Sequence, residues 1–516
     1  MTHRVLGPIT VCECSRREPV QEIGKSSALG HVNHIMLNQR REVLRGLIST
    51  AVGATLAGKL TVFAAAAQRD FSSVRPAPSQ RKFNSVAVET KITEVKRAMA
   101  DPELAWLFEN CFPNTLDTTV TFGLRDGRPD TFVVTGDINA MWLRDSTAQV
   151  TPYLPLARHD KELQRLIAGV INRQTMCILV DRYANAFSFG AKACPWGIND
   201  KPPLTPDLCE RKWEIDSLCY PIRLAHAYWR TTGDTSCFHA DWLKASGLIV
   251  QTFREQQRLH GPGPYRFQRP TENPIDTPPF NGLGNPTRPV GLIHSAFRPS
   301  DDACVYPFLI PANLFAVVAL KQLAEILATV LSEQKLAREC RTLAQEITAA
   351  IETYGKAVIR RHGRVYAYEV DGFGNQLFMD DANVPSLLSL PYLGCCSEND
   401  AVYLRTRAFI LSDQNPYFFR GRAAEGIVGP HVGLNMIWPL GIIVRALTST
   451  DEKEILNCLR MLKATHAGTG FMHEAFDKDD PKKFTRSWFA WANTMFGELI
   501  VKLYEQRPHL LKVRCR

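Results

Sequence analysis

The amino-acid sequence predicts a mostly α-helical protein with one folded domain behind an N-terminal leader. Apolar residues recur at helical spacing in about a dozen segments between residues 84 and 516. Alternation at a period of two is convincing only at residues 364–371 (RVYAYEVD). No stretch repeats another, which argues against a solenoid. A chain of 516 residues, 45% hydrophobic and 22% charged, is ample for a sizeable core.

Residues 1–67 read as a leader. Arg40-Arg41 forms a twin-arginine pattern, followed at 47–67 by a small, apolar run broken by Lys59. The run closes on Phe63-Ala64-Ala65-Ala66-Ala67, a cleavage-type sequence. This pattern predicts export by the twin-arginine route to the periplasm or the exterior. Signals start near an N-terminus, so Met36 is a candidate true start. An uncleaved leader would instead serve as a membrane anchor; the Lys, costly in mid-bilayer, argues against that. Residues 68–83, containing SSVRPAPSQR, read as a flexible linker, and the domain spans 84–516.

Within the domain, helical spacing is read at 86–111, 159–183, 213–232 and 237–259. Residues 261–289, rich in Pro, Gly and Asn, form a long loop of the kind that carries function. A helical hairpin follows at 311–330 and 333–354. Further helices are expected at 384–390, 398–411, 434–447, 451–466 and 487–505.

The net charge of +9 is not gathered into Lys/Arg runs, so a nucleic-acid partner is not expected. The 14 cysteines show no framework spacing and no repeated CxxC, which leaves zinc fingers and redox motifs unsupported. No His/Asp set has metal-ligand spacing and HExxH is absent, so neither metal nor cofactor is expected.

The densest chemistry lies at 131–150, TFVVTGDINAMWLRDSTAQV. Asp137, Trp142, Arg144 and Asp145 sit between apolar flanks. Carboxylates and a guanidinium bind sugar hydroxyls, and an indole covers the apolar face of a sugar. A buried Arg–Asp pair under a packed Trp fits the same residues. Further candidates are Asp216 in WEIDSLCYP, then Arg298, Asp301 and Asp302 in HSAFRPSDD, and Asn383 in MDDANVPSLL. Glu425 and His431 lie in RAAEGIVGPH, and Glu474 in GTGFMHEAFD. By spacing alone Asp216 is equally a first-turn acid of a helix, and Glu474 equally a solvated loop residue.

These motifs, TGDINAMWLRDS first among them, resemble glycoside hydrolase family 125, the metal-independent exo-α-1,6-mannosidases. The resemblance spans residues 84–505. It implies an (α/α)6 barrel, or toroid, whose long loops build the pocket. It also implies an inverting exo-enzyme that removes non-reducing terminal α-1,6-linked mannose from mannosides or N-glycan-derived oligosaccharides. By the same resemblance Asp216 is the general acid and Glu474 the general base, with Glu425 second for the base. An inverting pair stands about 6.5–9.5 Å apart, to admit a water. The remaining candidates are expected to bind mannose. Another (α/α)6 glycosidase, glucosidase-like or trehalase-like, is the alternative enzyme. A catalytically silent glycan-binding protein is the alternative of another class.

Overall fold

The computed structural model describes residues 71–190 and 194–515. The twin-arginine leader and Met36 lie outside the described residues. Among these, twelve α-helices have eight residues or more. The first six are α1 (Val86–Ala98), α2 (Pro102–Cys111), α3 (Leu143–Val150), α4 (Lys161–Val180), α5 (Ile215–Thr232) and α6 (Ala240–Gln256). They are followed by α7 (Ile310–Thr329), α8 (Gln334–Tyr354), α9 (Ala401–Ile410), α10 (Pro439–Leu447), α11 (Glu452–Thr465) and α12 (Ala490–Gln506). Aspartates set several starts: the side chains of Asp101, Asp160, Asp400 and Asp451 accept first-turn N–H groups of α2, α4, α9 and α11.

The helices form an (α/α)6 barrel. On the inside α3 packs on α5, α5 on α7, α10 on α12, and α12 returns to α3. Outside, α4 covers α5, α8 covers α7, α11 covers α10, and α2 lies against α12. The α2–α12 approach needs Gly497, where a Cβ would stand 2.6 Å from the Phe112 ring. Helix α7 is long and apolar enough to cross a bilayer, but it is mostly buried in the ring between α5 and α8. Its all-round hydrophobicity is that of a core helix.

Between α7 and α10 the ring is completed by consecutive turns rather than the helix expected at 384–390. Asp380 accepts the N–H groups of Leu387 and Leu388, drawing the chain into turns. Tyr220 donates to the carbonyl of Val384, and Arg223 to those of Tyr392 and Leu393, which ties the segment to α5. Tyr392 donates to Glu498 of α12.

Other expectations also shift. The single run at 86–111 is two helices, because Asp101 caps a new start with Pro102 in its first turn. The helix expected from 434 begins at Pro439, since Met436–Ile437 pairs with Phe476–Asp477. A hairpin at Val120–Arg125 and Arg128–Val133 turns on Asp126-Gly127, both at positive φ. The Asp-Gly pair was its readable signal. A disulfide joins Cys194 and Cys209 without any framework spacing. Eight of the ten free cysteines among the described residues are buried, as expected of small hydrophobes.

Short strands or extended residues lead into the inner helices. Ala140–Trp142 runs straight into α3, Phe308–Leu309 into α7, and Trp213-Glu214 precedes α5. The N-terminal ends of the inner helices therefore gather beneath the loops that carry the sequence motifs.

Residues 71–83 are not a loose linker. The Arg75 side chain, 4% exposed, donates Nε to Asp117 at 2.8 Å and Nη1 to Glu89 at 3.0 Å. Trp106 Nε1 donates to the Ser72 carbonyl, and Lys82 and Phe83 N–H groups bond Asp117 and Leu116 carbonyls. The folded unit thus begins upstream of residue 84. Replacing Arg75 with Ala leaves the buried Asp117 carboxylate only the longer 3.6 Å ion pair to Arg81 and is expected to cost about 3 kcal/mol, read as a lower urea midpoint with unchanged m-value.

Candidate active site

A small cavity of about 110 Å³ opens over the N-terminal ends of the inner helices. Its carboxylates are Asp145, Asp301 and Glu474, its cationic side chains Arg144, His431 and Arg486. Trp142, Trp438, Phe489 and Trp491 supply aromatic surface. The indole N–H groups of Trp438 and Trp491 are buried with no protein partner, which leaves them for a hydroxyl or water.

The floor is built on Arg144, in the first turn of α3 and 3% exposed. Its Nη1 donates to Glu214 at 2.6 Å and to Asp216 at 3.0 Å, and its Nε lies 3.5 Å from Asp145. The Trp491 ring stands 5.5 Å from the guanidinium. Burial alone would favour discharging Arg144; Glu214, Asp216 and Asp145 hold its proton instead. Asp145 also accepts the Thr135 hydroxyl at 2.6 Å. Both Asp145 and Asp216 sit in helical first turns, where the helix dipole favours an anion.

Asp216, expected as the general acid, does not line the cavity. It is fully buried behind Arg144, with one oxygen on that guanidinium and the other without a partner. Asp301 does line it. This aspartate has a φ of 68°, a left-handed conformation that costs energy for a non-glycine residue. Lys212 Nζ fixes it by bonding its carbonyl at 2.8 Å, and Asn185 donates to its carboxylate at 3.3 Å. Burial pushes its carboxyl up, but nearby Lys212, Arg144 and His431 bring it below the usual carboxylate range.

Glu474 lines the cavity as expected. It accepts Thr485 Oγ1 at 2.9 Å and Arg486 Nη1 at 3.3 Å. Arg486 also bonds the Thr135 carbonyl and the Asp137 carboxylate, joining the loop of Glu474 to the loop before α3. Asp137 is thus a half-exposed partner of Arg486 and not itself a lining residue.

Trp142, Asn383 and His431 reach the cavity as expected. Asn383 donates to Asp381, which also accepts the Ser300 hydroxyl at 2.7 Å. Asp302 lies beneath His431, accepting its Nδ1–H at 3.1 Å. Burial opposes charge on His431, but Asp302 and Asp301 outweigh it and raise its pKa to about 9.

Two expected sugar ligands are structural. Arg298 is buried and bonds Glu369 at 2.6 Å, and Glu369 accepts the N–H groups of Val305 and Tyr306, which clamps the Asp301 loop. Glu425 sits between Arg420 and Arg445 and does not line the cavity, which removes it as a base. Sequence reasoning missed Arg486, Ser300 and Glu214. Glu214 had a signal, a second acid beside Asp216 in WEID; Arg486 and Ser300 had none beyond proximity to a motif.

Residues 101–501 match the family described as metal-independent alpha-mannosidase, GH125. The chain is 46% identical over 457 residues to the meiotically up-regulated gene 157 protein of Schizosaccharomyces pombe, covering 85% of this chain and 89% of that one. It is 43% identical, with a TM-score of 0.79, to a Streptococcus pneumoniae metal-independent alpha mannosidase solved in a non-productive complex with alpha-1,6-mannobiose. That match covers 83% of this chain and all of the other.

His431 gains its proton affinity on folding. The linked stability is therefore full below the unfolded value near 6.5 and is lost as pH rises through about 9. The thermal midpoint of His431→Gln is expected to lie below wild type at about pH 6 and to converge on it by about pH 10, measured by scanning calorimetry.

Proposed function

The chain belongs to the metal-independent α-mannosidases of glycoside hydrolase family 125, and on that premise we propose that it is an inverting exo-enzyme that releases non-reducing terminal α-1,6-linked mannose. Its substrates are mannosides or N-glycan-derived oligosaccharides. The observation that carries the reading is one cavity in which Asp301 and Glu474, from two separate loops, face a space walled by Trp142, Trp438 and Trp491. The α-1,6-mannobiose bound by the pneumococcal relative supports the linkage.

In this mechanism Asp301 is the general acid, in place of Asp216. A proton donor has to touch the leaving oxygen, and the lining residue is the one that can. Glu474 is the general base. It takes a proton from water as that water attacks C1 on the face opposite the leaving group, while Asp301 protonates the departing oxygen. Arg486 and Thr485 aim Glu474 through the two bonds they make to it. Asp145 lends negative charge to the oxocarbenium-like transition state. Asn383, His431, Arg144 and the two unpartnered indole N–H groups bind hydroxyls. Export is part of the same proposal: the Cys194–Cys209 disulfide supports an oxidising compartment.

Released mannose is measured from α-1,6-, α-1,3- and α-1,2-mannobiose with added chelator. Chelator-resistant cleavage of the α-1,6 dimer is expected, with β-mannose as the first product by NMR. Asp301→Asn and Glu474→Gln are each expected to lose about 10²–10⁴-fold in kcat. Full activity in Asp301→Asn returns the acid role to Asp216, and α-mannose as first product overturns inversion.

A further inference from the structure

Glu214 is the least explained acid near the cavity. It immediately precedes α5, is completely buried, and does not line the pocket. Its Oε2 accepts Arg144 Nη1 at 2.6 Å and the Ser217 hydroxyl at 2.8 Å. Its Oε1 has no donor. Yet its carboxyl meets that of Asp301 at hydrogen-bonding range. Two carboxylates are both acceptors, so this contact is a bond only when one of them carries a proton. Like charges so close do not both ionise, as in other carboxyl dyads.

We propose that Glu214 is a positioning residue that shares one proton with Asp301 and supplies it for delivery to the glycosidic oxygen. The inference rests on the reading of Asp301 as the acid. The charged groups around the pair decide where the proton waits. Arg144 and Asp145 face it from α3 and Asp216 from α5. Lys212 stands beside Asp301 with Glu210 and Asp276 near its ammonium, and His431 comes from the facing loop with Asp302 beneath it. Burial and the neighbouring Asp216 push Glu214 well up, against the pull of Arg144, whereas the cations keep Asp301 ionised. The proton therefore rests on Glu214 in the empty enzyme.

As the C1–O bond breaks, Glu214 passes its proton to Asp301, and Asp301 delivers that proton to the leaving oxygen. Glu214 is left as a carboxylate already paired with Arg144 and Ser217. Water forms the new C1–O bond and gives its proton to Glu474. Glu474 then releases that proton to solvent, and the Glu214–Asp301 pair takes one back. Each turnover consumes one water and returns both sites to their starting state.

The test compares Glu214→Gln with wild type on α-1,6-mannobiose and on 2,4-dinitrophenyl α-mannoside, whose leaving group needs no proton. Gln keeps the shape and a donor but holds no transferable proton. Expected are a fall of about tenfold or more in kcat for mannobiose at neutral pH and near-wild-type turnover of the activated substrate. The basic limb of the pH profile for mannobiose is expected to move down by about one unit or more. Ser217→Ala removes a donor that favours ionised Glu214, so it moves the same limb upward; this milder variant serves even if Glu214→Gln folds poorly. Equal losses on both substrates, or a basic limb unmoved in both variants, overturn the proposal. Asp301→Asn run alongside separates the two readings: if it still cleaves mannobiose, the assignment of the acid fails, whatever Glu214→Gln does.

Discussion

A single buried guanidinium organises the site. Arg144 reaches from α3 to two carboxylates at the start of α5 and lies against Trp491 at the start of α12. Three inner helices are therefore held in register at the ends that face the cavity. The cluster is stable only when complete. Without Arg144, Glu214 and Asp216 would be adjacent buried acids with no cation between them, and without them Arg144 would be a buried cation with only Asp145 beside it, either costing several kcal/mol. Such a network adds little net stability over an apolar core. What it provides is fixed charge beneath the cavity, held in place before any ligand enters.

The barrel explains why this arrangement is available. Inner helices point their N-terminal ends to one rim, so first-turn residues such as Arg144, Asp145 and Asp216 converge although they are far apart in sequence. The loops above them are held to that floor by specific bonds. Lys212 fixes the strained Asp301 backbone, the Arg298–Glu369 pair clamps the same loop, and Arg486 ties Glu474 to the segment before α3. Each loop thus takes its position from the layer of charge below it.

Much of this was legible in the sequence. Most helices were readable because their apolar stripes are long, and the motifs pointed to the right loops: Trp142, Arg144, Asp145, Asp301, Asn383, His431 and Glu474 all line the cavity. Depth was not legible. A carboxylate in a motif reads the same whether it faces the cavity, like Asp301, or an arginine beneath it, like Asp216. Arg298 and Glu425 resemble ligands for the same reason, although each is consumed by an ion pair to a residue at least 20 positions away or across a short hairpin. The turn at 384–394 escaped because its apolar spacing matches a helix while Asp380 redirects its N–H groups. The segment at 71–83 looked like a linker because Pro and Ser dominate it, and Arg75 finds its acids only in the folded chain.

Depth also sorts the acids by what each can do. A group that transfers a proton to the glycosidic oxygen has to reach that oxygen, so Asp301 and Glu474, on the cavity wall, are open to direct chemistry. Asp216 and Glu214, closed off behind Arg144, act only through what they touch. For Asp216 that is the guanidinium, whose charge it helps to hold. For Glu214 it is both the guanidinium and Asp301. The cations around Asp301 favour its ionised form, which suits a base better than an acid. An acid in that setting needs a proton kept close by, and Glu214 is a neighbour whose burial raises its affinity while leaving it in contact with Asp301.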